Sequence, residues 1–490
     1  MSSSNTKYGA LPSLTESTSD TQRGHCALVQ AMRPFIAEFI GTFFFAFASR
    51  TLCSVGDALW NAIAIGCMLT ICVYVFGSGS VEGPAAGGHL NPAVSLASLL
   101  AGKEPPMKVM FSIVVQCSGG LLAGRLSSEV FPKHVAPMVG AQPSFAGTIS
   151  PCLVEAAFTS ALCFVVLNVC YSRRNNPADD QNHFFALAIG LLVVAGGYAA
   201  GDISGACFNP AVALSLEATS SSVSWTRSTY NYIISEGIGA VIAAMLFRAC
   251  RPEEDLENVD GYDIKLRVKV LSEFVGTFVL TLTVGLCVVL KSPATPLAAA
   301  AALTCMIYTL WDVSGAHFNP AVTVAVFLSD RGKCPAPRAM AYIIVQVIAG
   351  ILAGFVVASV HYVGPYHSED FCLKPLQRVG AGGVMEGYWL PALFAELLFT
   401  FLLAFTVLAV ATVRPLPIGM VLTRQNFPFG FAIGACVTAG GFAASKASGG
   451  ELNPAVAVAI SVNCAIDVGL WSPLPACGSF ALLEAAGGVL

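Results

Sequence analysis

The chain has 490 residues, of which 55% are apolar and only 11% charged, against about a quarter charged in ordinary soluble proteins. Mean hydropathy is +0.72, and several stretches of about 20 residues carry one charge or none, enough for a helix to cross the hydrocarbon of a bilayer. A soluble enzyme surface cannot be built from this composition, and a net charge of -4 from 25 basic and 29 acidic residues leaves no basic footprint for nucleic acid.

Residues 1–31 are a Ser- and Thr-rich polar tail without the basic-then-apolar order of a secretory signal. Its Tyr8-Gly9-Ala10-Leu11 run is the kind of short sorting motif that also arises by chance. Apolar spans follow at 33–55, 59–77, 106–126, 149–171, 183–200 and 228–248, and a second set at 268–290, 294–311, 336–360, 388–412, 427–444 and 470–490. Between the sets, Glu253, Glu254, Asp255, Glu257, Asp260 and Asp263 make an acidic stretch that belongs in water. The division is therefore a cytosolic tail (1–31), a first unit (32–249), a linker (250–266) and a second unit (267–490).

Cytosolic loops are enriched in Lys and Arg. With both termini in the cytosol, 17 of the 25 basic residues fall on that side, and Arg50 and Lys291 are among the eight left for the outside or a pore. The expectation is a multi-pass protein of the plasma membrane, or of an intracellular one, with both termini and the linker cytosolic. The 17 cysteines are an odd number, and Cys67, Cys72, Cys163, Cys287, Cys305 and Cys436 lie in apolar segments as small hydrophobes. No disulfide framework is read from them, although Cys334 and Cys372 fall in loops.

Self-similarity is the strongest signal. Asn-Pro-Ala-Val occurs four times, at Asn91, Pro92, Ala93; Asn209, Pro210, Ala211; Asn319, Pro320, Ala321; and Asn453, Pro454, Ala455, each followed by Val. A glycine stands four residues before each Asn (Gly87, Gly205, Gly315, Gly449), and a bulky apolar residue directly before it (Leu90, Phe208, Phe318, Leu452). The words are 118 residues apart in the first unit (209 minus 91) and 134 in the second (453 minus 319), so four half-units pair two by two. An acid with threonine four residues on opens the first and fourth span of each set: Glu38/Thr42, Glu155/Thr159, Glu273/Thr277 and Glu396/Thr400. Three spans separate successive pairs, an odd number, so neighbouring half-units enter the membrane from opposite faces.

Each word starts a short helix, because Asn is a strong N-cap and Pro fits the first helical position. About ten apolar residues then reach about half the hydrocarbon thickness. Two such helices entering from opposite faces meet at the midplane, where their dipoles repel cations and the Asn amides face a water-lined path.

On these residues the chain resembles the major intrinsic proteins, the aquaporins and aquaglyceroporins, twice over and across nearly all of 32–490. Ser314-Gly315-Ala316-His317-Phe318 and the glutamates opening spans one and four belong to the same likeness. The resemblance implies an all-α membrane protein of two tandem units, each with six transmembrane helices, two re-entrant half-helices and one pore. It also implies self-association: if single units form tetramers, two of these chains give four pores.

By the same resemblance, the constriction positions are Ile65, Gly197, Ala206 and Val212 in unit one, and Ala299, Gly441, Gly450 and Val456 in unit two. Val212 and Val456 stand where the family usually has an arginine, and Ala213 and Ala457 follow where glycerol channels usually have Asp. Such mouths are wide and uncharged. The expected function is passive, bidirectional passage of water and small uncharged solutes of the glycerol, urea or ammonia type. Asp202, Lys446 and Glu451 near the mouths read as solvated loop charges or as residues that tune entry.

The four glutamates Glu38, Glu155, Glu273 and Glu396 read as structural acceptors for free backbone donors rather than as a proton relay. His89 and His317 sit at the mouths, Cys207 near the path, and Gly120/Gly124 and Gly350/Gly354 are small-residue pairs for close helix packing. The seven histidines show no metal-ligand spacing, and no cofactor, nucleic-acid partner or catalytic residue is expected. A twelve-span secondary active transporter is the main rival, though it would need paired intramembrane charges, and a non-conducting scaffold is a third reading.

Overall fold

The computed structural model describes residues 20–77, 88–131, 145–177, 182–217, 227–256, 262–363, 372–373, 376–379, 385–412, 427–468 and 474–490. The Tyr8 to Leu11 run and Gly87 lie outside these residues.

Unit one comprises α1 (Asp20–Val55), α2 (Ala58–Gly77), the short α3 (Pro92–Leu100), α4 (Pro106–Val130), α5 (Phe145–Val166), α6 (Phe185–Ser204), the short α7 (Pro210–Glu217) and α8 (Arg227–Cys250). Unit two repeats the order: α9 (Leu266–Val289), α10 (Thr295–Ser314), α11 (Pro320–Leu328), α12 (Ala336–Val363), α13 (Trp389–Val407), α14 (Phe427–Ala444), α15 (Pro454–Val468) and α16 (Leu474–Val489). Ten of the described helices are long and apolar enough to cross a bilayer, and α14 and α16 fill the two remaining span positions.

The sequence misjudged several local features. The first helix begins at Asp20, inside the stretch expected to be polar tail, and α15 is 15 residues long rather than about ten. A turn of π-helix extends α5 over Leu167–Tyr171 and α13 over Leu408–Thr412. An antiparallel hairpin, Leu376–Val379 with Met385–Tyr388, interrupts the loop between α12 and α13. Cys372 in that loop is disulfide-bonded to Cys464 on α15, a pairing that spacing alone did not give.

Packing within each unit is the same. In unit one α1 lies on α2, α4 and α7, and α5 on α6 and α8; in unit two α9 lies on α10, α12 and α15, and α13 on α14 and α16. The small-residue pairs allow close approaches: a Cβ on Gly120 or Gly124 would strike the carbonyls of Ala211 or Ser215 on α7. Gly350 and Gly354 stand in the same way against Ala455 and Ala459 on α15. Outward faces are apolar, as with Met340, Ile344, Ile348, Leu352 and Phe355 along one stripe of α12. Lipid suits that stripe and water does not.

The units meet through α5 and α6 of the first and α9, α10 and α12 of the second. Phe184 stacks on Tyr308 with ring centroids 4.4 Å apart, and the Ser150 hydroxyl donates to the Val360 carbonyl at 2.9 Å. The acidic linker is not wholly in water, as its composition had suggested: Arg251 and Glu253 are buried in this seam. Burial alone would lower the Arg251 pKa, but Asp312 and Glu253 outweigh it and hold that value above the usual one.

Candidate functional site

All four Asn-Pro-Ala words begin a short helix. Each Asn side-chain oxygen accepts the N–H two residues on: Ala93 and Ala211 at 2.9 Å, Ala321 at 2.8 Å and Ala455 at 3.0 Å. Each Asn amide donates across the midplane to the carbonyl just before the opposite Asn: Asn91 to Phe208 and Asn209 to Leu90 at 2.8 Å, Asn319 to Leu452 at 2.9 Å and Asn453 to Phe318 at 3.0 Å. One cap therefore ends each half-helix and also fastens it to its partner.

Those carbonyls belong to residues in the left-handed region: Leu90, Phe208, Phe318 and Leu452 have φ between 48° and 53°. A bulky side chain held there costs about 1–3 kcal/mol. The buried glutamates hold this backbone in place. Glu38 accepts from the N–H groups of Gly88, His89 and Leu90 and from the Gln116 amide; Glu273 accepts from His317 and Phe318 N–H, the Ser314 hydroxyl and the Gln346 amide. Glu155 accepts from Cys207 and Phe208 N–H and Ser204, and Glu396 from Leu452 N–H and Ser448.

Two acids escaped the sequence reading. Glu236 on α8 accepts the Asn209 N–H at 2.8 Å, and Glu484 on α16 accepts the Asn453 N–H at 3.0 Å. The available signal was the one Gln or Glu inside each third and sixth span, Gln116, Glu236, Gln346 and Glu484.

In unit two a cavity of about 50 Å³ runs past the Asn pair. Ala299, Gly450, Glu451 and Val456 line it, with Asn319 and Asn453 beyond them and His317 and Ile307 also on its wall. Gly441 lies just behind, where a Cβ would meet Pro296 at 2.7 Å. In unit one the space is divided. An outer cavity of about 500 Å³ is lined by Ile65, Gly197, Ala206 and Asp202, and an inner one of about 20 Å³ by His89, Asn91, Cys207 and Asn209. Val193 borders both, and Val212 borders neither.

The register of α2 against α10 supports pairing Ile65 with Ala299. Thr70 fills the space beside Gly190 as Thr304 does beside Gly434, an offset of 234 residues (304 minus 70), the same as between Ile65 and Ala299 (299 minus 65). Lys446 is exposed. Arg50, counted by sequence with the outer or pore charges, is instead buried against α7, donating to the carbonyls of Ser215 and Leu216 at 3.3 Å. There it caps the C-terminal end of that half-helix.

The Major intrinsic protein family matches this chain three times, at residues 25–196, 152–293 and 270–457. The glycerol uptake facilitator protein-like 6 of Lactiplantibacillus plantarum is 29% identical over 235 residues, covering 46% of this chain and 100% of that protein. A probable aquaporin, TIP-type alpha, of Phaseolus vulgaris is also 29% identical, covering 44% of this chain and 84% of its own. A solved aquaglyceroporin of Plasmodium falciparum aligns with a TM-score of 0.37 at 20% identity, over 44% of this chain and 95% of that one. The chain belongs to the major intrinsic protein family, as a tandem fusion of two units. It is an integral, multi-pass membrane channel for water or small solutes, not an enzyme.

Proposed function

We propose that each unit encloses its own pore and that the chain conducts water and small uncharged solutes of the glycerol, urea or ammonia type in both directions. The observation that carries this reading is the unit-two cavity. It passes the paired amides of Asn319 and Asn453, and its wall at Ala299, Gly450 and Val456 consists of small apolar groups without a fixed cation. An Asn amide has two protons, one of which is spent on the opposite carbonyl, so the second is free for a passing oxygen.

The eight constriction positions and the four-part division at 31, 249 and 266 belong to the same proposal. So do cytosolic termini and residence in the plasma membrane. The Cys372–Cys464 disulfide lies on the side this orientation makes extracytosolic, where oxidation is favoured. Self-association into a dimer with four pores fits the seam between the units. The surfaces formed by α5 with α6 and by α9 with α10 pair within the chain, which leaves α13 with α14 and α1 with α2 as the equivalent unpaired faces.

Light scattering from vesicles carrying the purified chain, shocked first with an impermeant sugar and then with glycerol, tests the function. Fast shrinkage followed by fast re-swelling in glycerol is the expected result. Shrinkage without recovery would reduce the function to water alone, and neither effect would reject the channel.

A further inference from the structure

We propose that Tyr171 closes the cytosolic end of the unit-one pore, that the linker residue Glu254 holds it closed, and that unit two lacks this closure. The inference rests on the reading that each unit has its own pore.

Leu162 and Val166 of α5 line the inner cavity of unit one. The π turn that follows repeats at about five residues rather than four, so it brings Tyr171 to the same face. The Tyr171 hydroxyl bonds His89 Nε2, on the opposite wall of that cavity, and donates to Glu104 Oε1 at 3.1 Å. Lys108 Nζ holds the same carboxylate oxygen at 2.9 Å. A phenol thus bridges from α5 to the segment before α3, beneath a cavity of about 20 Å³, which has room for little more than a single water.

Unit two offers an internal control. Leu403 and Val407 line its cavity, and the matching π turn puts Thr412 where Tyr171 stands, both 241 residues on (403 minus 162, 412 minus 171). Cys334 stands where Glu104 does: each is buried directly before a Pro (Pro105, Pro335) and four residues before a cation (Lys108, Arg338), at the 230-residue offset that Gln116 and Gln346 share (334 minus 104, 346 minus 116). Thr412 turns instead to Arg331, and one cavity of unit two is lined from Ala299 past the Asn pair to Val407.

Glu254 ties down both shoulders of the closure. Its carboxylate accepts from Lys103 Nζ at 2.8 Å, next to Glu104, and from the Arg173 N–H at 2.8 Å, two residues past Tyr171. The Arg173 guanidinium also grips the linker carbonyls of Glu253, Glu254 and Leu256. The connection between the units therefore clamps the elements that carry the tyrosine and its acceptor.

The test is osmotic shrinkage of vesicles carrying the full chain, scaled to protein content. Tyr171→Thr, which copies unit two, is expected to raise water permeability by about twofold, because pores in parallel add. Tyr171→Phe and Glu254→Ala are expected to give smaller rises by freeing the ring. The reciprocal pair Thr412→Tyr with Cys334→Glu is expected to lower the rate. A rise cannot come from misfolding, so it would support the closure. An active parent with Tyr171→Thr unchanged or slower would overturn it, and Tyr171→Thr faster with Glu254→Ala unchanged would overturn the linker's part. No flux in the parent or in any variant would overturn the pore reading and this inference with it.

Discussion

The guanidinium of Arg251, one residue past the last span of unit one, grips the carboxylate of Asp312 on the second span of unit two through bonds of 2.5 and 2.9 Å. It also donates to Asn168 at 2.8 Å and to the Thr309 carbonyl at 2.9 Å, so one buried cation ties three segments across the seam. Arg251→Ala leaves Asp312 buried without its cation and is expected to cost about 3–5 kcal/mol. The check is thermal unfolding of the purified chain in detergent. Replacing both partners with apolar residues of similar volume should cost far less, and equal losses in the single and double variants would refute this account of the seam.

Glu273 gathers donors that the re-entrant backbone cannot satisfy by itself. Glu273→Ala orphans the N–H groups of His317 and Phe318 at about 1–3 kcal/mol each and removes the support of the left-handed Phe318. The expected outcome is loss of monodisperse protein on size-exclusion chromatography. A well-folded alanine variant would show that the loop holds its shape without the acid.

Val456 is the position at which pore width and charge can be altered together. Val456→Arg puts a long cation into the unit-two cavity and is expected to slow glycerol re-swelling by about tenfold, on the scale of one fixed charge in a narrow low-dielectric path. Water-driven shrinkage should fall less. Unchanged re-swelling would mean that solute crosses elsewhere, with unit one as the next place to look.

The Cys372–Cys464 bond joins the loop after α12 to α15 across 92 residues. Cys372→Ser is expected to lower stability by about 2–4 kcal/mol. In sealed cells an impermeant reductant should expose both thiols to labelling from outside. Labelling that requires permeabilised cells would reverse the proposed orientation.

Much of the architecture was readable because each repeat carries its own local physics. Asn followed by Pro can only begin a helix, and four copies separated by an odd number of spans impose the inversion. The positions of Glu38, Glu155, Glu273 and Glu396 likewise followed from one register. What could not be read depends on contacts between distant segments. Arg50 looked like a charge for the outside or a pore until α7 was packed against it, and Arg251 and Glu253 looked solvated until they were buried in the seam. The π turns before Ser172 and after Val407 leave no mark in composition, because one extra residue in a helical turn changes which face a side chain meets without changing the side chain.

Fusion also changes how the protein can be modified over generations. In an assembly of identical single units, every substitution is copied into all the pores at once. Here the Asn words are the same in both halves while residue 171 is tyrosine and its equivalent, residue 412, is threonine. One gene thus delivers two differently substituted units in a fixed one-to-one ratio, a stoichiometry that mixed assembly from separate genes would reach only on average.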